Sequence, residues 1–338
     1  MQLSDGSAPE DQTSNHVLMI RPARFSGNTE TAASNRFQNL GSGTAVADAQ
    51  LAAAGEFDGL VDVLRAKGVR VFDFDDLPEP VTPDALFPNN WVSFHSDGTA
   101  VLYPMLAPNR RLERRRDILA ALDDEHGFRL NRVIDLTHGE QQGRFLEGTG
   151  SLVLDRRNRL AYACLSPRTD ATMLAEFADK LDYEAVPFSA IDANGFPVYH
   201  TNVMLSVGER FAAVCADAIV EPDRRRVLDK LQCTSHEVIE LSRTQMECFA
   251  GNLLELRGPA ENHFVVLSAA GVASLEARQE MAFAELGLSL EAVPLPTIER
   301  LGGRQRAVHD HRNPVASQTG MRHAAVLVGI EPVAWRPI

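Results

Sequence analysis

The chain has 338 residues, of which 44% are hydrophobic and 23% charged, enough apolar material for the core of one large domain or two. Its net charge of −13 argues against nucleic acid or an anionic membrane as the main partner. There is no apolar run of about 18 residues and no basic-then-apolar leader, so we expect neither a membrane span nor a signal peptide. The cysteines at 164, 215, 233 and 248 lack CxxC spacing, which disfavours a zinc site or a disulfide framework and fits a cytoplasmic location.

The predicted elements begin after a polar stretch, residues 1–15, which we interpret as a disordered tail. Strands follow at 16–20 and 69–74, on either side of a helix whose apolar residues recur at helical spacing over 44–67. Further strands are predicted at 91–94, 100–103, 133–136, 151–154, 160–164, 184–188, 203–207, 211–215, 237–241, 252–256, 263–267 and 290–294. Helices are predicted at 110–123, 171–182, 221–231 and 271–286.

These elements repeat as strand–strand–helix–strand units, each opened by a polar or small cluster. The clusters are NNWVSF at 89–94, LEGTGSLVL at 146–154, HTNVML at 200–205 and AGNLL at 250–254, with LGG at 301–303 about one period later. Periods of about 50 residues suggest a closed array of supersecondary units, although chance spacing of glycine-led strands remains the alternative. No low-complexity linker divides the array, so residues 16–303 are predicted to form one α/β domain.

Glu147 and His200 stand at matching strand ends of successive units. In a closed array these ends face one another, so the carboxylate would orient the imidazole for general acid–base chemistry. Taken singly, Glu147 could be a surface turn residue and His200 a structural histidine. The basic runs at 110–116 and 224–226 contain or adjoin acidic residues within predicted helices and are interpreted as solvated helix faces.

Several motifs resemble the guanidine-modifying superfamily, which includes arginine deiminases, amidinotransferases and dimethylarginine hydrolases. They are TPDALFPNN at 82–90, LEGTGSLVL at 146–154, LSPRTD at 165–170 and YHTN at 199–202, and the fit is closest to the citrulline-utilisation hydrolases. The resemblance implies a five-bladed α/β propeller in which a cysteine thiolate attacks an amidine or ureido carbon. It identifies His200 as the catalytic acid and base, Glu147 as its partner, Asp84 as a substrate-binding carboxylate and Arg168 as a clamp for a substrate α-carboxylate. It requires no metal or organic cofactor.

Asparagines replace acids of the cationic-substrate relatives at Asn89, Asn90 and Asn202. A neutral amide suits a neutral ureido group better than a cation, so the sequence favours citrulline as substrate, with arginine second. Activity like that of an arginine deiminase or a dimethylarginine hydrolase is the enzymatic alternative. A non-catalytic protein that binds a small amino acid stays open because a fold does not fix a function. In either case the expected partner is a small amino acid, and a homodimer is possible.

The family's nucleophilic cysteine, expected after Gly302 and Gly303, is missing. Back-translation of the sequence from 303 with one base dropped gives Gly-Gly-Ser-Val-Arg-Cys-Met-Ile-Thr-Glu-Ile, which indicates a frameshift and makes 304–338 an aberrant tail. A divergent tail with Cys248 as nucleophile is the alternative, whereas Cys164 and Cys215 are predicted to be buried structural thiols. The last unit would lack its inner strand, the apolar stretch 324–330 could fill that place, and the chain as given would be inactive.

Overall fold

The computed structural model describes residues 10–31, 46–303 and 331–332, and these residues form an α/β fold. The strands are β1 (His16–Arg21), β2 (Arg70–Asp75), β3 (Val92–Phe94), β4 (Thr99–Leu102), β5 (Arg132–Asp135), β6 (Leu152–Asp155), β7 (Leu160–Cys164), β8 (Glu184–Phe188), β9 (Leu205–Val207), β10 (Phe211–Val214), β11 (Glu237–Glu240), β12 (Leu254–Arg257), β13 (His263–Ser268), β14 (Ser289–Val293) and β15 (Glu331–Pro332). The α-helices are α1 (Val46–Ala66), α2 (Arg116–Asp124), α3 (Gly148–Ser151), α4 (Ala171–Leu181), α5 (Asp223–Cys233), α6 (Arg243–Glu247), α7 (Ala269–Ser274), α8 (Ala277–Glu285) and α9 (Pro296–Gly303).

Within the described residues the strands form five sheets of three strands, and all five share one topology. In each sheet the middle strand is antiparallel to one neighbour and parallel to the other, as in β3–β4–β5 and β6–β7–β8. The parallel pair is joined by a helical crossover, as a parallel connection requires. The predicted strand–strand–helix–strand unit is therefore confirmed.

The fifth sheet combines strands from both ends of the described chain, because β15 pairs antiparallel with β1 and β1 pairs parallel with β2. β15 thus takes the place that the first strand holds in the other four sheets. The sequence analysis expected that place to be vacant or filled by residues 324–330. Those residues lie outside the described part of the chain, and the described strand is Glu331–Pro332.

A short helical turn precedes the first strand in three successive units. These turns cover Pro88–Asn90, Gly148–Ser151 and Thr201–Val203, and the residues capping their N-termini are Phe87, Glu147 and His200. Glu147 and His200 therefore occupy equivalent positions in neighbouring units, as the repeat predicted.

Local sequence fixes where the longer helices begin and end. The side chain of Asp170 accepts hydrogen bonds from the backbone N–H groups of Thr172 and Met173 at the start of α4, and Asp182 ends the helix in the left-handed region with φ 56°. Met173 and Phe177 point inward from this helix, into a core that also contains Leu152 of β6.

Parts of the sequence-based assignment were wrong. Residues 10–15 are not a disordered tail, because Glu10 is 2% exposed and the side chain of Gln12 donates to the carbonyls of Leu154 and Val207. The predicted helix 110–123 is a 3-10 turn at Pro108–Glu113 followed by α2, and 271–286 is split into α7 and α8. α6 and α9 were not predicted, and α9 contains Gly302 and Gly303. No helix in the described ranges is long and apolar enough to cross a membrane.

Candidate active site

Glu147 and His200 meet in the interior, with 2.8 Å between Glu147 Oε2 and His200 Nε2. The two residues are 0% and 3% exposed, respectively. Because a carboxylate only accepts hydrogen bonds, Nε2 carries the proton and donates it. The predicted contact between carboxylate and imidazole is confirmed, and its catalytic use stays a prediction.

Glu147 is held in place by bonds to its backbone and to its side chain. Its N–H donates to Ser151 Oγ at 2.9 Å, and Ser151 Oγ in turn donates to the carbonyl of Arg168 at 2.9 Å. Its Oε1 accepts the N–H of Leu106 at 3.0 Å. The next residue, Gly148, has φ +43°, and a Cβ there would lie 2.1 Å from the carbonyl oxygen of Asn89, so only glycine fits.

The protonation states follow from burial and charge. Burial alone would raise the pKa of Glu147, but Arg168, the hydrogen bond from His200 and Arg110 outweigh it and hold the pKa well below its usual range. Burial lowers the pKa of His200 to about 4, although the hydrogen bond and charge of Glu147 oppose the shift. At neutral pH the pair is therefore a carboxylate and a neutral imidazole, which can accept a proton from a nucleophile.

Arg168 lies beside Glu147 and not at the protein surface. It is 2% exposed, its Nη1 lies 3.3 Å from Glu147 Oε2, and its guanidinium lies 5.0 Å from the ring centroid of Tyr199. Its Nη2 donates to the carbonyl of Thr31 at 3.3 Å. This position beside Glu147 is the one expected for a residue of the active site. That Arg168 binds the α-carboxylate of a substrate remains a prediction.

Sequence reasoning missed Arg110 and Glu113, which are each 2% exposed. Their side chains form two hydrogen bonds of 2.9 Å, Nε to Oε1 and Nη2 to Oε2. Arg110 also lies 3.6 Å from Asp84 Oδ2 and, through Nη1, 3.6 Å from Glu147 Oε2. The interpretation of 110–116 as a solvated face is therefore wrong for Arg110. The signal available in the sequence was the acid three residues after the arginine.

These side chains form one buried cluster of three carboxylates and two guanidinium groups, Asp84, Glu113, Glu147, Arg110 and Arg168. Burial raises the pKa of Glu113 to about 8 against the opposing effect of Arg110. Since this pKa lies above neutrality, we regard Glu113 as the carboxyl of the cluster that holds a proton near pH 7. The remaining charges then balance.

A loop after β1 closes over this cluster. Asn28 is 1% exposed and its Nδ2 donates to Asp84 Oδ2 at 2.8 Å and to Asn109 Oδ1 at 3.2 Å. Thr31 is 3% exposed and contacts Arg168 through its carbonyl. The sequence pattern gave no reason to place this loop at the site.

The three predicted asparagines divide between two places. Asn90 belongs to the charged cluster, because its Oδ1 accepts from Arg110 Nη1 at 2.8 Å. Asn89 and Asn202 line a cavity of about 110 Å³, together with Thr149 and Asn252. Only Asn90 is thus seen in contact with the charged residues.

Two of the four cysteines are buried thiols with a raised pKa. Cys164 and Cys215 are fully buried, as predicted, and burial raises the pKa of the Cys164 thiol to about 12 and that of Cys215 above its ordinary value. Cys233 is exposed on α5, and Cys248 is half-buried at the end of α6. The stretch after Gly303, where the family's cysteine was sought, lies outside the described residues.

Three comparisons relate this chain to known proteins. No curated protein sequence matches the chain significantly. Solved structures with the same fold include the N-terminal domain of ArgZ, an arginine dihydrolase from cyanobacteria, in a cysteine-to-serine form bound to substrate (19% identity, TM-score 0.64, covering 85% of this chain and 94% of that chain). AgrE with L-arginine is similar at 18% identity and TM-score 0.65, covering 85% and 38% of the two chains. A dimethylarginine dimethylaminohydrolase adduct with S-methyl-L-thiocitrulline is similar at 15% identity and TM-score 0.58, covering 86% and 96%.

The fold and the family match assign the chain to the guanidine-modifying amidinotransferase superfamily. Within it, the family model described as N,N dimethylarginine dimethylhydrolase, eukaryotic, matches residues 21–306, and the chain therefore belongs to that family. Members of this group that resemble it are hydrolases or dihydrolases of arginine-type compounds.

Proposed function

We propose that the protein is a cysteine-type hydrolase of the terminal C–N bond of a guanidino amino acid. The observation that carries the proposal is the buried Glu147–His200 contact of 2.8 Å inside a cluster of paired charges. In this reaction neutral His200 takes the thiol proton of the nucleophile and later gives a proton to the leaving amine. Glu147 fixes the imidazole tautomer and stabilises the imidazolium that forms.

The charge of the cluster favours a cationic substrate over a neutral one. In the free protein Glu113 holds a proton and the cluster is neutral, but when Glu113 ionises the three carboxylates exceed the two guanidinium groups by one. Arginine and its methylated forms carry a net charge of +1, whereas citrulline carries none. A buried charge is tolerated where it is paired, so the surplus carboxylate suits the extra positive charge.

Citrulline, which the asparagines favour on sequence grounds, becomes the second candidate here. The Nδ2 atom of Asn90 is buried and has no hydrogen-bond partner. The Oδ1 atom of the same side chain accepts a hydrogen bond from Arg110 of the cluster. A ureido oxygen could accept that N–H, which a guanidinium cannot do. An asparagine-to-serine form of ArgZ was solved covalently bonded to a reaction intermediate, so an asparagine is also a reasonable residue to test here.

The five sheets are proposed to be the blades of a closed propeller, because neighbouring units touch around the ring. Gly148 packs on Asn89, Gly150 on His200, and Gly251 on Val203. Two further contacts support closure and are formed by Arg257 with Ser14 and by Gly302 with Phe87. Residues 16–303 would then form one catalytic domain, in a protein proposed to work in the cytoplasm as a monomer or homodimer.

The nucleophile is proposed to be absent from the chain as given because of a frameshift near residue 303. The family model stops matching at residue 306, close to that point. Losing the nucleophile of a catalytic set removes several orders of magnitude of rate. Independent resequencing of the gene across codons 295–320 would reject the frameshift if it returned the printed frame.

The activity is tested by comparing the chain as given with a form whose residues from 303 follow the alternative reading. Release of ammonia or dimethylamine is measured with arginine, dimethylarginine and citrulline. Turnover by the restored form alone, lost in His200→Ala, is expected, with kcat/KM higher for a guanidino substrate. A restored form that folds and turns over none of these compounds would reject the proposal.

The chain as given also needs a control for its remaining thiols. Turnover by this chain that disappears in Cys248→Ser would make Cys248 the nucleophile. Binding of these amino acids by both forms without turnover would instead select the non-catalytic binding protein.

A further inference from the structure

Two neighbouring sheets bring a histidine and two glutamates together, away from the charged cluster. Glu209 lies in the turn between β9 and β10, Glu255 lies on β12, and His263 opens β13. One donor atom from each residue lies within 4.8 Å of the other two. We call these three residues the hairpin cluster.

The hairpin cluster is held together by short contacts. His263 Nδ1 donates to Glu255 Oε1 at 2.7 Å and lies 3.6 Å from Glu209 Oε2. The backbone N–H of Glu209 donates to Glu255 Oε2 at 2.7 Å. Glu255 is 7% exposed, so its carboxylate is fixed in the interior by contacts from two different hairpins.

The turn that carries Glu209 can approach Glu255 only because Gly208 precedes it. A Cβ at Gly208 would lie 2.4 Å from Glu255 Oε2 and 2.3 Å from Cε1 of Phe211. Both contacts are shorter than atoms can tolerate, so a side chain at this position would separate the carboxylates. The close approach of the donors is therefore built into the backbone.

We propose that the hairpin cluster binds one divalent first-row transition metal ion, with Zn²⁺ as the best fit among them. One imidazole and two carboxylates are a ligand set that such ions accept, and the fourth position is left for water. Tetrahedral bonds of about 2.1 Å separate donors by roughly 3.4 Å. The spacings of His263 Nδ1 from the two carboxylates, 2.7 and 3.6 Å, lie on either side of that value, and the three donors all lie within 4.8 Å of one another.

Charge and access agree with this assignment. An ion would replace the imidazole proton that now joins His263 to Glu255, and two carboxylates would neutralise its two charges. The side chains of His263 and Glu209 are 21% and 35% exposed, which leaves a path from solvent. Arg157 contacts Glu209 through Oε1 at 3.0 Å, so Oε2 can bind the ion without breaking that ion pair.

The site is independent of the proposed hydrolysis, and the ion would join the third and fourth hairpin units. Untagged, chelator-treated full-length protein is titrated with Zn²⁺ by calorimetry and with Co²⁺ by visible absorption. We expect one ion per chain, a higher Tm with the ion, and at least tenfold weaker binding in His263→Ala and in Glu209→Gln. Glu209 is partly exposed, so the second variant reports on binding even if the first one folds poorly.

His138→Ala is the matched control. His138 and Glu176 form a histidine–carboxylate pair of 3.1 Å with similar chemistry, but within the described ranges of the chain no third metal-ligating side chain lies beside them. Binding in this variant should equal that of the unaltered protein. Absence of binding, binding that survives both hairpin variants, or a Co²⁺ spectrum of thiolate coordination would each overturn the proposal.

Discussion

Gly150 leaves the space in which the imidazole of His200 lies. A Cβ placed on Gly150 would be 2.8 Å from both Nδ1 and Cε1 of that ring. Gly150 and His200 belong to successive units, and the contact lies beside the hydrogen bond from His200 to Glu147. The glycine-rich turn at 148–150 is thus needed for the position of the histidine and not only for the direction of the chain.

Gly150→Ala is expected to displace His200 and to destabilise the protein by about 1–3 kcal/mol, because an added methyl group overpacks a closed interior. Urea unfolding at neutral pH measures the change. Gly55→Ala is the control, since Gly55 lies on an exposed part of α1 with nothing within 4 Å of its added Cβ. That substitution should raise stability by about 0.5–1 kcal/mol. If the two substitutions changed the unfolding free energy equally, the space between Gly150 and His200 would not be restricted by their contact.

Glu147→Gln is expected to cost about 3–5 kcal/mol of unfolding free energy, because it leaves buried guanidinium charge without one of its partners. Arg168 and Arg110 lie 3.3 and 3.6 Å from the carboxylate oxygen that would be lost. Glu176→Gln, which removes the half-exposed partner of His138, should cost at most about 1 kcal/mol. Chemical denaturation of both variants measures the loss of unfolding free energy. A loss in Glu147→Gln no larger than that in Glu176→Gln would contradict the prediction.

Stability should fall as the pH drops from about 6.5 towards 4, because the pKa of His200 is lowered by burial to about 4 in the folded protein. The unfolded chain then binds a proton that the folded chain excludes, which stabilises the unfolded state. His16 titrates in the same window, since burial also lowers its pKa to about 4. The comparison that isolates His200 is therefore the unaltered protein against His200→Gln. Between pH 6.5 and 4 the unfolding free energy of the variant should fall less than that of the unaltered protein. The difference should be up to about 3 kcal/mol.

The repeat could be predicted from sequence because each unit contains its own signals. Apolar strands such as 160–164 and 184–188, and the helix between them, were placed almost to the residue. The same regular spacing put Glu147 and His200 in matching positions. Short helices such as α6 and α9 were missed because five to eight residues give no clear helical period.

The charged cluster could not be predicted in the same way, because its contacts join distant parts of the chain. Arg110 looks solvated in its local sequence, and its burial depends on Asp84, which lies 26 residues earlier, and on Glu147, which belongs to the next unit. Asn28 reaches the same cluster from the loop after β1. Asn89 and Asn202 line a cavity, and their predicted contact with the substrate stays a prediction.

Arginine binding at pH 7 should release up to one proton per chain, and the group responsible should be Glu113. Burial raises the pKa of this carboxyl to about 8, so it holds a proton in the free protein. A bound cation favours the ionised carboxylate and lowers that pKa, and the proton leaves. Neutral citrulline should bind with little or no release of protons.

Calorimetry in phosphate and in Tris gives the number of protons released, because the two buffers differ in their enthalpy of ionisation. Glu113→Gln should abolish the release, whereas Glu140→Gln, which alters a neighbouring pair with Arg114, should retain it. If arginine binds with no proton released, the protonation of Glu113 is wrong, and if arginine does not bind at all, the proposed substrate class is wrong.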